Sequence, residues 1–288
     1  GMIEDSLNTL TSHWGQYTPD NHQAIFRSDV KLINPKFILT ADTLGYNTES
    51  YQSDLVGPTT ILYEEETTIL STNGWYNTKS ELSMLLDRSQ VIHVDGMTLT
   101  GDTIYYDKAQ GYGKCIGNIE SVDSTHSMTL YGHKAEMWES NNRAYVTDSA
   151  MLLDWSDSTT YTYMHADSLW TEEIPYQIYT LAERDSILID SILTAQQPDT
   201  IWSDTTYQQL RAYRNVRIYR SDLQAVCDSA RYHGRDSIIT LFGMPICWNE
   251  ENQREYFKKF IETYKNNTYL IKLEDEVIGF YNDEILEN

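Results

Sequence analysis

One short phrase recurs along most of this 288-residue chain: an apolar residue, a spacer, a small residue, Asp, Ser or Thr, an apolar residue and then Tyr. The clearest copies run from Leu39 to Tyr46 and from Leu99 to Tyr106. Anchored on the Asp place, the copies fall at positions 42, 73, 102, 133, 167 and 228. A spacing near thirty residues is typical of repeat architectures, in which each unit buries its apolar face against the next. We therefore expect the chain to fold as an array.

Short alternating apolar and polar runs fill the units. The runs 36–40, 59–63 and 114–119 are examples, and Gly, Asn, Asp or Ser bounds each run. The chain has 22 Tyr but only 6 Pro, a composition that suits pleated strands better than helices. Many short strands at regular spacing predict an all-β fold, here an elongated β-jelly roll of stacked antiparallel strands with about three short strands in each unit.

The Asp-Ser/Thr pair of the phrase has a structural explanation. Asp and Ser side chains accept and donate hydrogen bonds to nearby backbone groups, so they stabilise turns and strand corners. Nothing in the spacing brings two of these carboxylates together as a catalytic pair. We therefore interpret the recurring Asp as a corner residue.

Changes of pattern along the chain suggest five segments. They are an irregular N-terminal segment at 1–28, a first β-jelly-roll stretch at 29–171, an insertion or linker at 172–207, a continuation of the array at 208–253, and a cap at 254–288.

The cap differs from the array in its periodicity. Apolar residues at helical spacing predict a short helix from Glu255 to Lys265. Two apolar runs, 269–273 and 277–281, then predict a hairpin. Helix and hairpin together are expected to cover the open end of the array.

The charge excludes some classes of partner. The net charge is −22, from 21 basic and 43 acidic residues, so the surface repels nucleic acid and anionic membranes. The opening Gly1-Met2 resembles a cloning scar, so we expect an export signal to have been removed ahead of it. Cys115, Cys227 and Cys247 lack CxxC spacing, and whether Cys227 and Cys247 form a disulfide is left open.

No catalytic signature is present in the sequence. HExxH, GxSxG and GxGxxG are missing, and the seven histidines lack metal-ligand spacing. We therefore expect a protein that is not an enzyme and that needs no cofactor or metal.

Strand alternation predicts an apolar interior that is either a closed core or a slot for an apolar ligand. A shift of one residue in the assignment would turn each side chain to the opposite face. The residues expected to face inward and bind ligand are Leu39, Leu44, Ile61, Leu70, Val91, Leu99, Ile104, Ile116, Leu130 and Val146.

The order of several phrases resembles the OstA/LptA-like family of lipopolysaccharide-transport proteins, over about residues 30–253. The matching phrases are 39–44 with Tyr46, 74–78, 101–107, 117–119, 130–132, 215–219, 227–232 and 243–248 with Gln253. The resemblance implies an elongated periplasmic β-jelly roll, associated with outer-membrane biogenesis, that holds lipopolysaccharide acyl chains inside. It also implies partners, either other Lpt-type envelope proteins or further copies of the chain, joined through strand edges.

Two other functions stay open at this stage. A structural envelope scaffold of the same fold would pair its strand edges with other proteins. A carbohydrate-binding β protein would display coplanar Trp and Tyr rings in a cleft.

Overall fold

The computed structural model describes residues 2–4, 8–181, 200–235, 238–249, 268–274 and 277–280. These residues confirm the all-β prediction, because their strands form one continuous antiparallel sheet. The helices in this part of the chain are two short 3₁₀ turns, Pro19–Asn21 and Glu139–Asn141. Among the described residues, no helix has the length and apolar character needed to cross a bilayer. The helix expected at 255–265 lies outside the described residues.

The strands are β1 (Met2–Glu4), β2 (Thr9–Thr11), β3 (Trp14–Thr18), β4 (Gln23–Asn34), β5 (Phe37–Asn47), β6 (Gln52–Tyr63), β7 (Thr67–Asn77), β8 (Leu82–Leu86), β9 (Ser89–His93), β10 (Met97–Gly101), β11 (Thr103–Asp107), β12 (Tyr112–Asp123), β13 (Met128–Trp138), β14 (Arg143–Asp154), β15 (Thr162–Leu181), β16 (Thr200–Arg220), β17 (Leu223–His233), β18 (Ile238–Phe242), β19 (Ile246–Asn249), β20 (Thr268–Glu274) and β21 (Val277–Phe280).

Most strands bend at their centre, and the bends align across the sheet. A bend is typically a register shift in which one residue of a strand lies opposite two residues of its neighbour. Such bulges sharpen the local twist and turn a strand from one sheet layer into another. The one-residue corners are Asp42, Thr72, Asp102, His133, Asp167 and Asp228.

Two-residue corners alternate with the one-residue corners. Backbone φ is positive at both residues in most of them, for example 61° at Asp148 and 65° at Ser149. The two-residue corners are 28–29, 57–58, 87–88, 117–118, 148–149 and 214–215.

The thirty-residue repeat therefore consists of two long bent strands rather than three short ones. In β5 the chain continues as one strand through Asp42, from Phe37 to Asn47. The sequence runs of four to seven residues are the halves of such strands, because the corner residues have the composition of strand ends. The recurring Asp lies at these corners, as expected.

Bending divides the sheet into two layers, which we call leaf 1 and leaf 2. Away from the corners, leaf 1 ends in a row of turns that we call rim 1, and leaf 2 ends in a row of turns that we call rim 2. Leaf 1 runs from the corners to rim 1, at residues 48–51, 78–81, 108–111 and 139–142. Leaf 2 runs from the corners to rim 2, at residues 35–36, 64–66, 94–96 and 124–127.

Hydrogen bonds along rim 1 repeat with the sequence. Asn47 accepts hydrogen bonds at its Oδ1 from the N–H groups two and three residues ahead, at 3.0 and 2.8 Å. Asn77 accepts the equivalent pair at 3.0 and 2.9 Å. Its Nδ2 also donates to the Ser50 carbonyl of the preceding turn at 2.9 Å, so each turn is fastened to the next.

Two segment predictions differ from the structure. Residues 1–28, expected to be irregular, contain β1, β2, β3 and the start of β4; these strands are short and polar, which hid their alternation. In the expected insertion at 172–207, the described residues continue β15 and β16, which pair as far as Leu181 and Thr200. Residues 182–199 lie outside the description.

The described residues of the cap contain a hairpin, because β20 pairs with β21. β20 also pairs with β18, so the hairpin continues leaf 1 in register with the array. The expected segment boundaries themselves remain predictions.

Candidate functional site

A continuous row of apolar residues lines the interior of leaf 1, close to the corners. Each member is the direct cross-strand partner of the next. All are buried apart from Ala135, which is half-buried. The row is Phe26, Leu44, Leu55, Gly74, Leu85, Ile104, Cys115, Ala135, Val146, Leu169, Ala212, Ala230 and Leu241.

A second apolar row lines the interior of leaf 2. Its members are cross-strand partners in the same way along the whole row, and Ser121 is the one polar member. The row is Leu10, Leu32, Leu39, Ile61, Ile69, Val91, Leu99, Ser121, Leu130, Leu152, Met164, Ile218, Ala225 and Cys247.

Burial of the second row changes along the array. Leu32, Ile61, Val91, Leu99 and the other members before Met164 are half-buried, apart from Leu10 and Leu39, which are buried. From Met164 to Cys247 the members are buried. The leaf 2 lining is therefore more accessible in the first two thirds of the array than near its C-terminal end.

The two leaves face each other. Gly101 lies in leaf 2 and Cys115 in leaf 1, and a Cβ placed on Gly101 would lie 2.2 Å from the Cys115 Sγ, so glycine permits this close approach. Near the C-terminal end, Ile218 and Ala225 of leaf 2 and Leu241 of leaf 1 line one small cavity of about 30 Å³. Ile218, Ala225 and Leu241 are themselves buried, so the two leaves pack closely at this end.

Most of the interior residues expected from the sequence occupy these rows. Leu39, Ile61, Val91, Leu99 and Leu130 lie in leaf 2. Leu44, Ile104 and Val146 lie in leaf 1 and are buried.

Leu70 and Ile116 do not face the interior, so their inward assignment is wrong. They are 38% and 45% exposed, and their neighbours Ile69 and Cys115 occupy the two rows instead. The phrase places its Asp position at Asn73, whereas the corner is Thr72, so the residue three positions before the corner is Ile69 rather than Leu70. Ile116 directly precedes the two-residue corner 117–118.

Interior residues that the sequence reasoning missed include Phe26, Leu55, Leu85, Leu169 and Leu241. They lie outside the residues chosen from the repeat phrase, although each belongs to an alternating run. Counting the alternation from both the one-residue and the two-residue corners would have identified these residues as inward-facing.

Tyrosines form the next interior position of leaf 1, towards rim 1. Tyr46, Tyr76 and Tyr106 are thirty residues apart and alternate with serines across the strands. The Tyr106 hydroxyl donates to Glu139 Oε1 at 2.6 Å. Partial burial raises the pKa of Tyr76 and of Tyr106, and nearby acidic groups raise it further by a smaller amount. The interior thus becomes polar towards rim 1.

The opening between rim 1 and rim 2, which we call the mouth, is bridged by a lysine side chain. Lys108 follows β11 on rim 1, and Tyr63 ends β6 at rim 2. The Lys108 Nζ contacts the Tyr63 hydroxyl and lies 4.6 Å from the centre of its ring. The two leaves therefore meet at the mouth as well as at the corners.

Aromatic rings on the outer face of leaf 1 stack on one another. The ring planes of Trp138 and Tyr145, and of Tyr145 and Trp170, are inclined by 18°, with centroids 6.3 and 4.7 Å apart. The Arg143 guanidinium lies 4.5 Å from the Trp170 ring centre. Each stacking contact covers one face of the rings that it joins.

The corner carboxylates bond to neighbouring corners. Asp102 accepts a hydrogen bond from Asn118 Nδ2 at 2.7 Å and lies 3.6 Å from Arg88 Nη1. Asp167 accepts from Asn215 Nδ2 at 3.1 Å. In the described part of the chain, no group of three or more His, Cys, Asp or Glu residues could hold a metal ion. The corner Asp residues thus join the corners to one another.

The three cysteines are free thiols. Burial raises the pKa of Cys115 to about 11 and the pKa of Cys227 and Cys247 to about 12. These thiols are protonated at neutral pH, and protonated thiols are poor nucleophiles.

Comparisons with known proteins give a match to one family model and matches to solved structures. The model of the OstA-like protein family matches residues 1–42. Comparison with curated proteins gives no match. Among solved structures, one match is LptH of Pseudomonas aeruginosa, described as the LptA-homologous periplasmic component of the conserved lipopolysaccharide transport device. That match has 18% sequence identity and a TM-score of 0.37, and it covers 40% of this chain and 93% of LptH. The OstA-like match confirms the resemblance to the OstA-like family over residues 1–42.

Proposed function

We propose that this chain is a non-enzymatic periplasmic protein that binds and relays lipopolysaccharide, with the acyl chains held between leaf 1 and leaf 2. The observation that carries the proposal is the second apolar row, whose members from Ile61 to Leu152 are half-buried rather than buried. Burying apolar surface contributes about 25 cal/mol per Å², so accessible aliphatic side chains favour an acyl ligand.

Binding requires some separation of the leaves. Lys108 and Tyr63 are in contact at the mouth, and the packed corners hold the two leaves together on the opposite side. An acyl chain that enters from the mouth separates leaf 2 side chains, such as Ile61 and Leu99, from the buried residues against which they pack. The closed C-terminal end of the array limits how far the acyl chain extends between the leaves.

Assembly through strand edges is part of the proposal. Among the described residues, β3 pairs with β4 alone, and β21 pairs with β20 alone. Unpaired edges present backbone donors and acceptors to another strand. A further copy of this chain, or another envelope protein of the Lpt type, is the expected partner.

Photo-crosslinking in cells tests the lipid site. A photoreactive residue in place of Leu99 or Ile61 is expected to label lipopolysaccharide. The same residue in place of Leu70 or Ile116, on the outer face, serves as the matched control and is expected to give little lipid label. Equal labelling from both faces, or no lipid label at any inner position, contradicts the proposal.

A further inference from the structure

The mouth carries two lysines near one tyrosine. Lys108 reaches from rim 1 to Tyr63, as described above. Lys36 lies on rim 2 beside the same tyrosine, because its carbonyl accepts a hydrogen bond from the Glu64 N–H at 2.7 Å and its neighbour Phe37 pairs with Tyr63. The backbone of Lys36 on rim 2 therefore lies beside the tyrosine that Lys108 contacts from rim 1.

Carboxylates lie near these lysines without forming ion pairs with them: Glu139 acts on Lys108, and Glu64 and Glu65 follow Tyr63 on rim 2. Within that part of the chain, neither Lys36 nor Lys108 lies at ion-pair distance from a carboxylate, although the net charge of the chain is −22. Partial burial lowers the pKa of Lys108, the charge of Lys36 lowers it further, and Glu139 opposes both effects. Like charges held together favour an anion placed between them.

We propose that Lys36 and Lys108 form a binding site for a phosphate group of the acylated lipid, at the mouth of the groove. This inference rests on the proposed function, because the acyl chains of the same ligand lie between the leaves. A phosphate oxygen accepts charge-assisted hydrogen bonds from both ammonium groups, and the Tyr63 hydroxyl donates a third. The phosphate replaces the contact between Lys108 and Tyr63.

The position of the site suits an amphipathic ligand. Ile61, a member of the second apolar row, lies on the same strand as Tyr63 and two residues closer to the corner. Successive interior side chains on one strand lie about 7 Å apart. Lipid chains in the groove would thus place a phosphorylated headgroup at the mouth. The site also lets an acidic protein bind an anionic lipid without a basic surface.

Binding measurements on the purified full chain test the inference. The variant carries Lys36→Gln and Lys108→Gln. A control with the same change in net charge carries Lys31→Gln and Lys79→Gln, where Lys79 lies 5.1 Å from the Tyr51 ring on rim 1. The probes are a bisphosphorylated, multiply acylated glucosamine disaccharide, the same lipid after enzymatic removal of its phosphates, and inorganic phosphate. Circular dichroism checks that both variants fold.

We expect the Lys36/Lys108 variant to bind the phosphorylated lipid at least tenfold more weakly, and to bind the dephosphorylated lipid as the unmodified chain does. The control variant should bind both lipids normally. Equal loss in the two variants, or no loss in either, overturns the phosphate site while leaving lipid binding intact. Inorganic phosphate binding as tightly as the phosphorylated lipid overturns the lipid headgroup as its occupant. If neither lipid binds the unmodified chain, the proposed function fails as well.

Discussion

Single residues show how corners control which side chains face inward. Ile69 faces the interior and Leu70 faces outward, although both are large aliphatic residues of β7. The repeat phrase selects Leu70 because it aligns Asn73 with the Asp of the other copies, whereas the corner is Thr72, one residue earlier. A copy of the phrase that lacks its Asp therefore predicts the inward-facing residues least well.

Replacing one residue from each face tests this register. Leu44 is 1% exposed, so Leu44→Ala should lower the free energy of unfolding by about 2–5 kcal/mol, through lost burial and the cavity that remains. Leu70→Ala is the control and should cost less than about 1 kcal/mol. Urea unfolding followed by tryptophan fluorescence measures both. A larger loss for Leu70→Ala than for Leu44→Ala would falsify the register.

The buried thiols predict a pH dependence of stability. Their folded-state pKa values, about 11 for Cys115 and about 12 for Cys227 and Cys247, lie above the usual value of 9.0. The unfolded chain therefore loses these protons first. Stability is fully present below pH 9 and declines as the pH rises from about 9 to about 12.

Denaturant titrations between pH 8 and 11 measure this decline. Cys115→Ala should flatten the pH dependence relative to the unmodified chain, since it removes one of the three groups. Tyrosine and lysine titrations are common to both proteins and cancel in the difference. An identical slope in the two proteins contradicts the assignment.

At the scale of elements, the sequence predicted one-residue corners but not the two-residue corners between them. The phrase with Asp marks the one-residue corners at Asp42, Asp102, Asp167 and Asp228. Most two-residue corners share a backbone conformation rather than a residue pattern: Ser28-Asp29 and Asp87-Arg88 have positive φ at both residues but different sequences. Strand length could not be predicted for the same reason, because each unmarked corner resembled a strand end.

A glycine at one of these corners offers a test of the bent-strand geometry. Gly117 has a φ of +80°, and a Cβ there would lie 2.5 Å from Asp102 Oδ2. Gly117→Ala should therefore cost about 1–3 kcal/mol in backbone strain and displace the neighbouring corner. Gly45→Ala is the control, because a Cβ at Gly45 would meet its nearest atom at an ordinary 3.4 Å. Thermal unfolding compares the two, and equal costs would show that the corner tolerates a side chain.

At the scale of the molecule, composition predicted the all-β class, and repeat spacing predicted the array. The alternating apolar runs also predicted a lined interior. The closing of the C-terminal third and the contact of Lys108 with Tyr63 could not be predicted, because both depend on how far the strands bend. Bending brings together residues that are 45 positions apart in the sequence.

The acidic surface predicts that salt stabilises the whole molecule. The net charge is −22, and the excess carboxylates repel one another more strongly in the folded state than in the expanded unfolded chain. The described ion pairs lie largely at the surface, where they contribute little to stability. Raising NaCl from about 10 to about 500 mM shortens the Debye length from about 30 Å to a few Å. This screening should raise the Tm by about 2–5 °C.

The variant Glu64→Gln with Glu65→Gln removes two exposed charges from rim 2 without altering the side-chain length. It should have a higher Tm than the unmodified chain at low salt and a smaller increase with NaCl. Differential scanning calorimetry measures both, and a Tm that falls with added NaCl would mean that attractive charge pairs outweigh the self-repulsion.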